Sequence, residues 1–274
     1  MNIEFLRLFI VYHYKVNSKI YKLSLVKILM DAELAEVFGI FAADGSMQDD
    51  HLCMWGNINE DREYYDKIVC PLFSKVFSKQ IIAHDKKSNS VCGFYLCDRN
   101  AINLIKEFGF CKRKTYIVRV PEIIIKSNDL VLFAAFIRGF FDCDGFISFL
   151  KRKGNYKPFK TKYHTYPRIA VKIASKNMVE DLSYMLNKLG VEHTKGIQKS
   201  KENNLSDIYW IEIRGIERTE KYLIEIGFNN PAQNSKHLVW KKFGFCPPRT
   251  SKKQRELILS DKLDPYLFYA HDRI

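Results

Sequence analysis

Asp44 and Asp144 end two copies of one pattern, Gly39-Ile40-Phe41-Ala42-Ala43-Asp44-Gly45 and Gly139-Phe140-Phe141-Asp142-Cys143-Asp144-Gly145, set 100 residues apart. One Asp-Gly pair is an ordinary turn signal. Its duplication behind two apolar stretches of helical period argues for two related halves that bring two carboxylates together. Packing alone would not favour this. Each acid falls at a helix C-terminus, where the macrodipole disfavours negative charge by a few tenths to about 1 kcal/mol, and adjacent carboxylates repel. A divalent cation removes both penalties: hard carboxylate oxygens suit Mg²⁺, and the helix-end carbonyls of Ala43 and Cys143 can join them. Paired acids holding metal beside a phosphate-binding surface point to metal-assisted phosphodiester hydrolysis.

The positions around the acids indicate how they are brought together. Gly39 shares a helix face with Ala43, and Gly139 with Cys143, so two backbones can approach closely there. Gly45 and Gly145 are expected to take the left-handed position that follows a helix end.

Charge is the second signal. The net charge is +13, and it is lopsided: residues 1–150 carry 19 Lys+Arg against 18 Asp+Glu, residues 151–274 carry 25 against 13. From Lys151 to Lys172 there are eight basic residues and no acidic one, interleaved with Tyr156, Phe159, Tyr163, His164 and Tyr166. A basic stripe with aromatics is the footprint of a phosphate-backbone binder. Other classes are disfavoured. No apolar run reaches about 18 residues, so no membrane span or membrane partner is expected. The apolar stretch Phe5–Tyr14 is short, carries Arg7 and reads as a core element rather than a signal peptide. Seven cysteines without a C-x-x-C pair read as reduced, mostly buried thiols of an intracellular protein, in cytoplasm or an organelle matrix. The seven histidines are scattered without metal-site spacing, and no phosphate loop of the G-x-x-x-x-G-K-[ST] type is present.

The elements that must position the acids repeat as well. Leu104–Phe110 resembles Tyr222–Phe228, both ending a helical pattern in E-[FI]-G-F, but at an offset of 118. The second copy therefore holds about 18 extra residues, the size of the basic run Lys151–Pro167. In the first half, Glu33–Ala43 reads as helix and Met47–Asn57 as extended. A helix opened by Asn59-Glu60-Asp61 follows, with Tyr64, Ile68, Leu72 and Val76 inward. Strands are expected at Gln80–Ala83 and Val91–Leu96, and a helix at Asp98–Glu107. The second half gives helix Leu130–Asp142, strands around the basic insertion ending at Arg168–Ile173, and helix Lys176–Leu189. Strands Thr194–Gln198 and Ile208–Arg214 and a last helix stopped by Gly227 complete it. The reading is α+β: two α-β-β-α-β-β-α units, over residues 31–120 and 127–231, with an N-terminal extension (1–30), a linker (121–126) and a basic C-terminal extension (232–274).

Val37–Gly45 and Ile137–Gly145 resemble the motif of the LAGLIDADG homing endonucleases, and the surrounding repeat extends the resemblance over roughly residues 30–230. Neither copy has the leading Leu-Ala, and the first has Ala42 where the second has Asp142. The resemblance implies two pseudo-symmetric αββαββα halves whose motif helices form the interface. Each four-stranded antiparallel sheet would form part of a saddle on DNA. It implies a monomer that cuts both strands of a long asymmetric site, is encoded within an intron, and uses Mg²⁺, with Mn²⁺ substituting and Ca²⁺ binding without cleavage. Asp44 and Asp144 would be the catalytic metal ligands. A family Lys or Gln at the end of the second strand would fall on Lys176 in one half and Asn57 in the other. By the same resemblance Lys86, Lys87, Lys151, Arg152, Lys153, Arg168, Lys172, Lys195, Lys199, Lys201 and Arg214 would meet double-stranded DNA. Two alternatives stay open: a binding protein on the same fold, either a splicing maturase that binds intron RNA or a regulator that has lost cleavage, and an endonuclease domain from an intein. The chain is not expected to be a whole intein itself, since it lacks a nucleophile at position 1 and ends in Asp272-Arg273-Ile274.

Overall fold

The computed structural model describes residues 7–16, 19–151, 162–200 and 206–270, with backbone only before residue 30. An antiparallel hairpin, β1 (Arg7–Val16) and β2 (Lys19–Leu29), precedes the repeat. The first half then runs α1 (Ala32–Asp44), β3 (Gly45–Met47), β4 (Leu52–Asn57), α2 (Arg62–Tyr64), a π turn Tyr65–Val69, α3 (Cys70–Phe77), β5 (His84–Lys86), β6 (Val91–Leu96) and α4 (Arg99–Glu107). After α5 (Glu122–Ser127) the second half repeats it: α6 (Leu130–Cys143), β7 (Gly145–Lys151), β8 (His164–Ile173), α7 (Lys176–Lys188), β9 (Thr194–Gln198), β10 (Ile208–Arg214) and α8 (Ile216–Glu225). The strand orders are β3-β4-β6-β5 and β7-β8-β10-β9, all antiparallel. The fold is thus two four-stranded αββαββα halves of one topology.

Helices α1 and α6 are apolar nearly all round and buried between the halves, as expected of a helix with no solvent face. Their N-termini are capped by Asp31, which accepts from Leu34 N at 2.8 Å, and by Asp129, which accepts from Val131 N at 2.8 Å. The glycines fit across the interface reciprocally. A Cβ on Gly39 would collide with the carbonyl oxygen of Phe136, and one on Gly139 with that of Glu36, so the contact obeys the 100-residue offset. One buried ion pair breaks this symmetry: Arg138 Nη2 meets Glu36 Oε2 at 2.6 Å.

Several expectations are corrected. Gly45 does not adopt the left-handed conformation (φ −70°, ψ 140°), and Gly145 is absent from the positive-φ residues. What both lack is room, since a Cβ would lie 2.5 Å from Phe41 O in one case and 2.7 Å from Phe141 O in the other. The strand expected at Gln80–Ala83 lies further on, at β5. The π turn inserts an extra residue, so Tyr64, Tyr65, Val69, Cys70 and Phe73 face the core, while Ile68, Leu72 and Val76 are only half-buried. The extended stretch Met47–Asn57 belongs to a β3–β4 hairpin that already begins at Gly45. Only Cys70, Cys92 and Cys246 of the seven free cysteines are buried.

The C-terminal extension is helical, with α9 (Pro231–Phe243) and α10 (Lys252–Leu259). The Gln233 side chain covers the free edge of β7, accepting from Ile147 N at 3.1 Å and donating to Gly145 O at 3.2 Å. Arg255, fully buried, joins Glu60 of the first half at 2.6 Å. The extension therefore ties the halves together.

Candidate active site

Because α1 and α6 cross with their C-termini on the same side, Asp44 and Asp144 come together where the two sheets begin. Burial, then the neighbouring charges of Asp144 and Asp61, push the Asp44 carboxyl up from 3.8 to about 7, against a hydrogen bond from Cys143 and the charge of Lys114. Asp144 is more exposed; its carboxyl is also raised by desolvation, opposed by Lys114. Two carboxylates that both resist ionisation are a fit for a hard cation, which would restore the charged form.

Lys114, which no motif or spacing marks, also lies beside the acids. Its ammonium donates to Ala42 O at 2.6 Å and Ala43 O at 3.3 Å, capping the α1 C-terminus. Burial lowers its pKa, while Asp144 and Asp44 hold it up. It is thus the cation that faces both carboxylates. The Ala43 carbonyl already accepts from Lys114, and Cys143 meets Asp44 through its side chain, so these two residues do more than offer helix-end oxygens. Among the described residues no group of three or more His, Cys, Asp or Glu forms a metal cluster, so a metal here would rest on the two aspartates.

The corresponding end of α6 is built differently. The Asn230 amide donates to Asp142 O at 3.0 Å and to Asp61 Oδ1 at 3.0 Å. Asp142 itself is buried and accepts from the Asn229 and Asn230 backbone N–H groups at 3.0–3.1 Å, which makes it a clamp for α9 rather than a ligand.

Asn57 and Lys176 are not equivalent. Gly45 faces Met54, three residues before Asn57, and Gly145 faces Val171, three residues before Ala174. The counterpart of Asn57 is therefore Ala174. Asn57 Oδ1 accepts from Asn59 N at 2.9 Å and Glu60 N at 3.2 Å, a turn-capping role. Lys176 is exposed at the start of α7, just after the N-cap Ser175, and Lys114 holds the place facing the aspartates.

The expected basic contacts divide by sheet face. Register puts Lys86 on the first sheet's outer face, with Trp55 and Tyr95, and Arg168, Lys172 and Arg214 on the second's, with Trp210. Lys195 does not belong to this group. It pairs with the buried Ile211, so it points to the helix layer, where it forms an ion pair with Glu180 of α7. Lys87 and Lys199 are exposed, and Lys151 is half-buried at the end of β7. Arg152, Lys153 and Lys201 lie outside the described residues.

Two pseudo-symmetric αββαββα halves, joined by close-packed helices that each deliver an aspartate, define a single-chain, two-motif architecture. Residues 132–227 match the family model of the LAGLIDADG-like domain. That match spans the second half, and the first half repeats its strand order and its motif helix within the same chain. The chain is also similar to segments of the replication factor C small subunits of Methanocaldococcus jannaschii (28% identical over 208 residues) and Thermococcus kodakarensis (25% over 197). Those matches cover 75% and 72% of this chain but only 10% and 20% of the relatives' length. Among solved structures it resembles the homing endonuclease I-DmoI (TM-score 0.48, 13% identity, 72% of this chain and 95% of that one). It also resembles the I-LtrWI LAGLIDADG homing endonuclease bound to target DNA (TM-score 0.49, 10% identity, 78% and 90%).

Proposed function

We propose that this chain is a site-specific DNA endonuclease that hydrolyses one phosphodiester bond on each strand of a long, asymmetric duplex site. The observation that carries the reading is the pair Asp44 and Asp144 on the ends of two interlocked helices, facing one half-buried lysine. Asp44 and Asp144 would hold Mg²⁺, with Mn²⁺ as a substitute and Ca²⁺ as a binding-only ion. Bound there, the ion supplies a lowered pKa for water and charge stabilisation on the phosphate. Lys114, held by the α1 carbonyls, places a positive charge where negative charge develops on the phosphoryl oxygens. Asn230 and Asp61 fix the opposite helix end, and the outer faces of both sheets supply the duplex contacts. The chain would act as a monomer, because both motif helices are already present. Free thiols fit a reducing, intracellular compartment.

An intron-encoded enzyme is the first form of this proposal. A second form, an endonuclease segment within a longer host protein, is favoured by one observation: in both curated relatives the matching segment is a minor part of a longer polypeptide. A maturase would show itself by preferring intron RNA over duplex DNA. The test is digestion of a library of candidate insertion-site duplexes with Mg²⁺, resolving nicks from double-strand breaks. Wild type should linearise its target, and Asp44→Asn and Asp144→Asn should bind it without cutting. Either variant cutting at the wild-type rate would sink the mechanism.

A further inference from the structure

The two sheets present different chemistry on their outer faces. On the second sheet Arg214 of β10 lies directly across from Arg168 of β8, and Glu212, two residues along on the same face, forms an ion pair with each. Arg168 is further held by Ser148 Oγ, which accepts from its Nε at 3.2 Å, and its guanidinium lies 5.3 Å from the centre of the Phe146 ring. Its side chain is 24% exposed, that of Glu212 13%, and that of Arg214 51%. One guanidinium is thus buttressed, and the other is aimed outward with one nitrogen committed to Glu212 and its remaining donors free to point away from the sheet.

A surface built only to neutralise phosphate would gain nothing from a carboxylate between two arginines, since the carboxylate repels the backbone. What Glu212 does supply is orientation. A guanidinium with a fixed plane matches the two acceptors, O6 and N7, that guanine alone presents side by side in the major groove; adenine puts a donor in that place. On the first sheet no arginine occupies the outer face. Its cation, Lys86, lies 3.8 Å from the Trp55 ring centre and 4.5 Å from that of Tyr95, and donates to the Tyr95 hydroxyl at 2.5 Å. Such a cluster offers apolar surface and a masked point charge, which carry no guanine code.

We propose that Arg214, held in register by Glu212 and Arg168, reads guanine in the half-site covered by the second sheet. The first sheet has no equivalent reader. The proposal rests on the DNA-binding reading above. The test is selection of bound duplexes from a fully randomised double-stranded library in Ca²⁺, followed by sequencing. Wild type should select guanine at one or two positions confined to one half-site. Arg214→Ala and Arg214→Lys should each lose that preference by about tenfold or more, leaving the other half-site's sequence unchanged. Glu212→Gln should keep or raise total affinity, because a repelling charge is gone, while discrimination at the same positions falls. A purely structural role would lower affinity and leave the base preference intact. Guanine preference that survives Arg214→Ala, or that falls equally in both half-sites, overturns the proposal. A wild-type protein that selects a sequence without guanine overturns it while leaving the endonuclease reading standing. One that binds no duplex at all removes the endonuclease reading with it.

Discussion

The first and second halves share a strand order and a pair of interlocking glycines, yet they meet the chemistry of the site differently. At the end of α1 a lysine caps the carbonyls and faces both aspartates; at the end of α6 an asparagine amide does the capping, held by an acid from the other half. The outer faces differ in the same sense, an arginine–glutamate network on one sheet and an aromatic–lysine cluster on the other. The lesson is that the fold constrains where the acids sit, because backbone packing tolerates no variation there, while surrounding side chains were free to diverge. The halves are symmetric in geometry and asymmetric in charge.

The largest expected effect falls on the symmetric part. Gly39→Val and Gly139→Val drive a side chain into the opposing backbone, and each should cost at least the roughly 1–3 kcal/mol of overpacking, read as lost soluble yield or a lower melting temperature. The two should be similar; one tolerated glycine would break the symmetry. Next, Lys114→Met should slow cleavage by about 10²–10³-fold, the loss seen when one preorganised charge is removed, with duplex binding preserved. A rate within a factor of a few of wild type would show that Lys114 only caps α1.

A smaller effect concerns pH. With a folded pKa near 7 against 3.8 when free, Asp44 keeps its proton in the folded chain after the unfolded chain has released it. Its contribution to stability is full below about pH 4 and is lost as pH rises through about 7. Metal-free Asp44→Asn should therefore melt higher than wild type at pH 8, by roughly 2–4 °C for each 1 kcal/mol relieved, and the gap should shrink at pH 5. Asp142, pushed by burial to about 8, leaves a residual slope in the variant. Mg²⁺ should raise the wild-type melting temperature at pH 8 and not that of the variant. Smallest of all, Lys195→Ala should leave duplex affinity and its salt dependence nearly unchanged, whereas Lys172→Ala should flatten the salt dependence by about one phosphate contact. Equal losses would contradict the assignment of Lys195 to the helix side.

Much of this architecture was legible in the residues. The paired motifs, the interlocking glycines and strands such as Thr194–Gln198 and Ile208–Arg214 follow from local pattern, because helix and strand periods are written in the chain itself. The π turn was not legible, since an inserted residue leaves the apolar content of the helix intact and only rotates its face. Lys114 was hidden for a different reason. It sits in the short basic run Lys112-Arg113-Lys114, with no periodicity to mark it, 70 residues after Asp44. Lys176 and Asn57 were matched by position along the chain, and strand register separates them.

By itself the sequence determined that two like halves exist, that their acids must meet, and that the positive charge belongs to the second half. These are properties of residue type and spacing. Only the tertiary structure decided which cation faces the acids, which lysine turns to the helix layer, and why Gly45 and Gly145 are glycines. The first two depend on what a distant stretch of chain brings to within a few ångströms, and such contacts leave no local signature; the glycines are set by the tightness of the turn itself, where a Cβ would meet the Phe41 or Phe141 carbonyl.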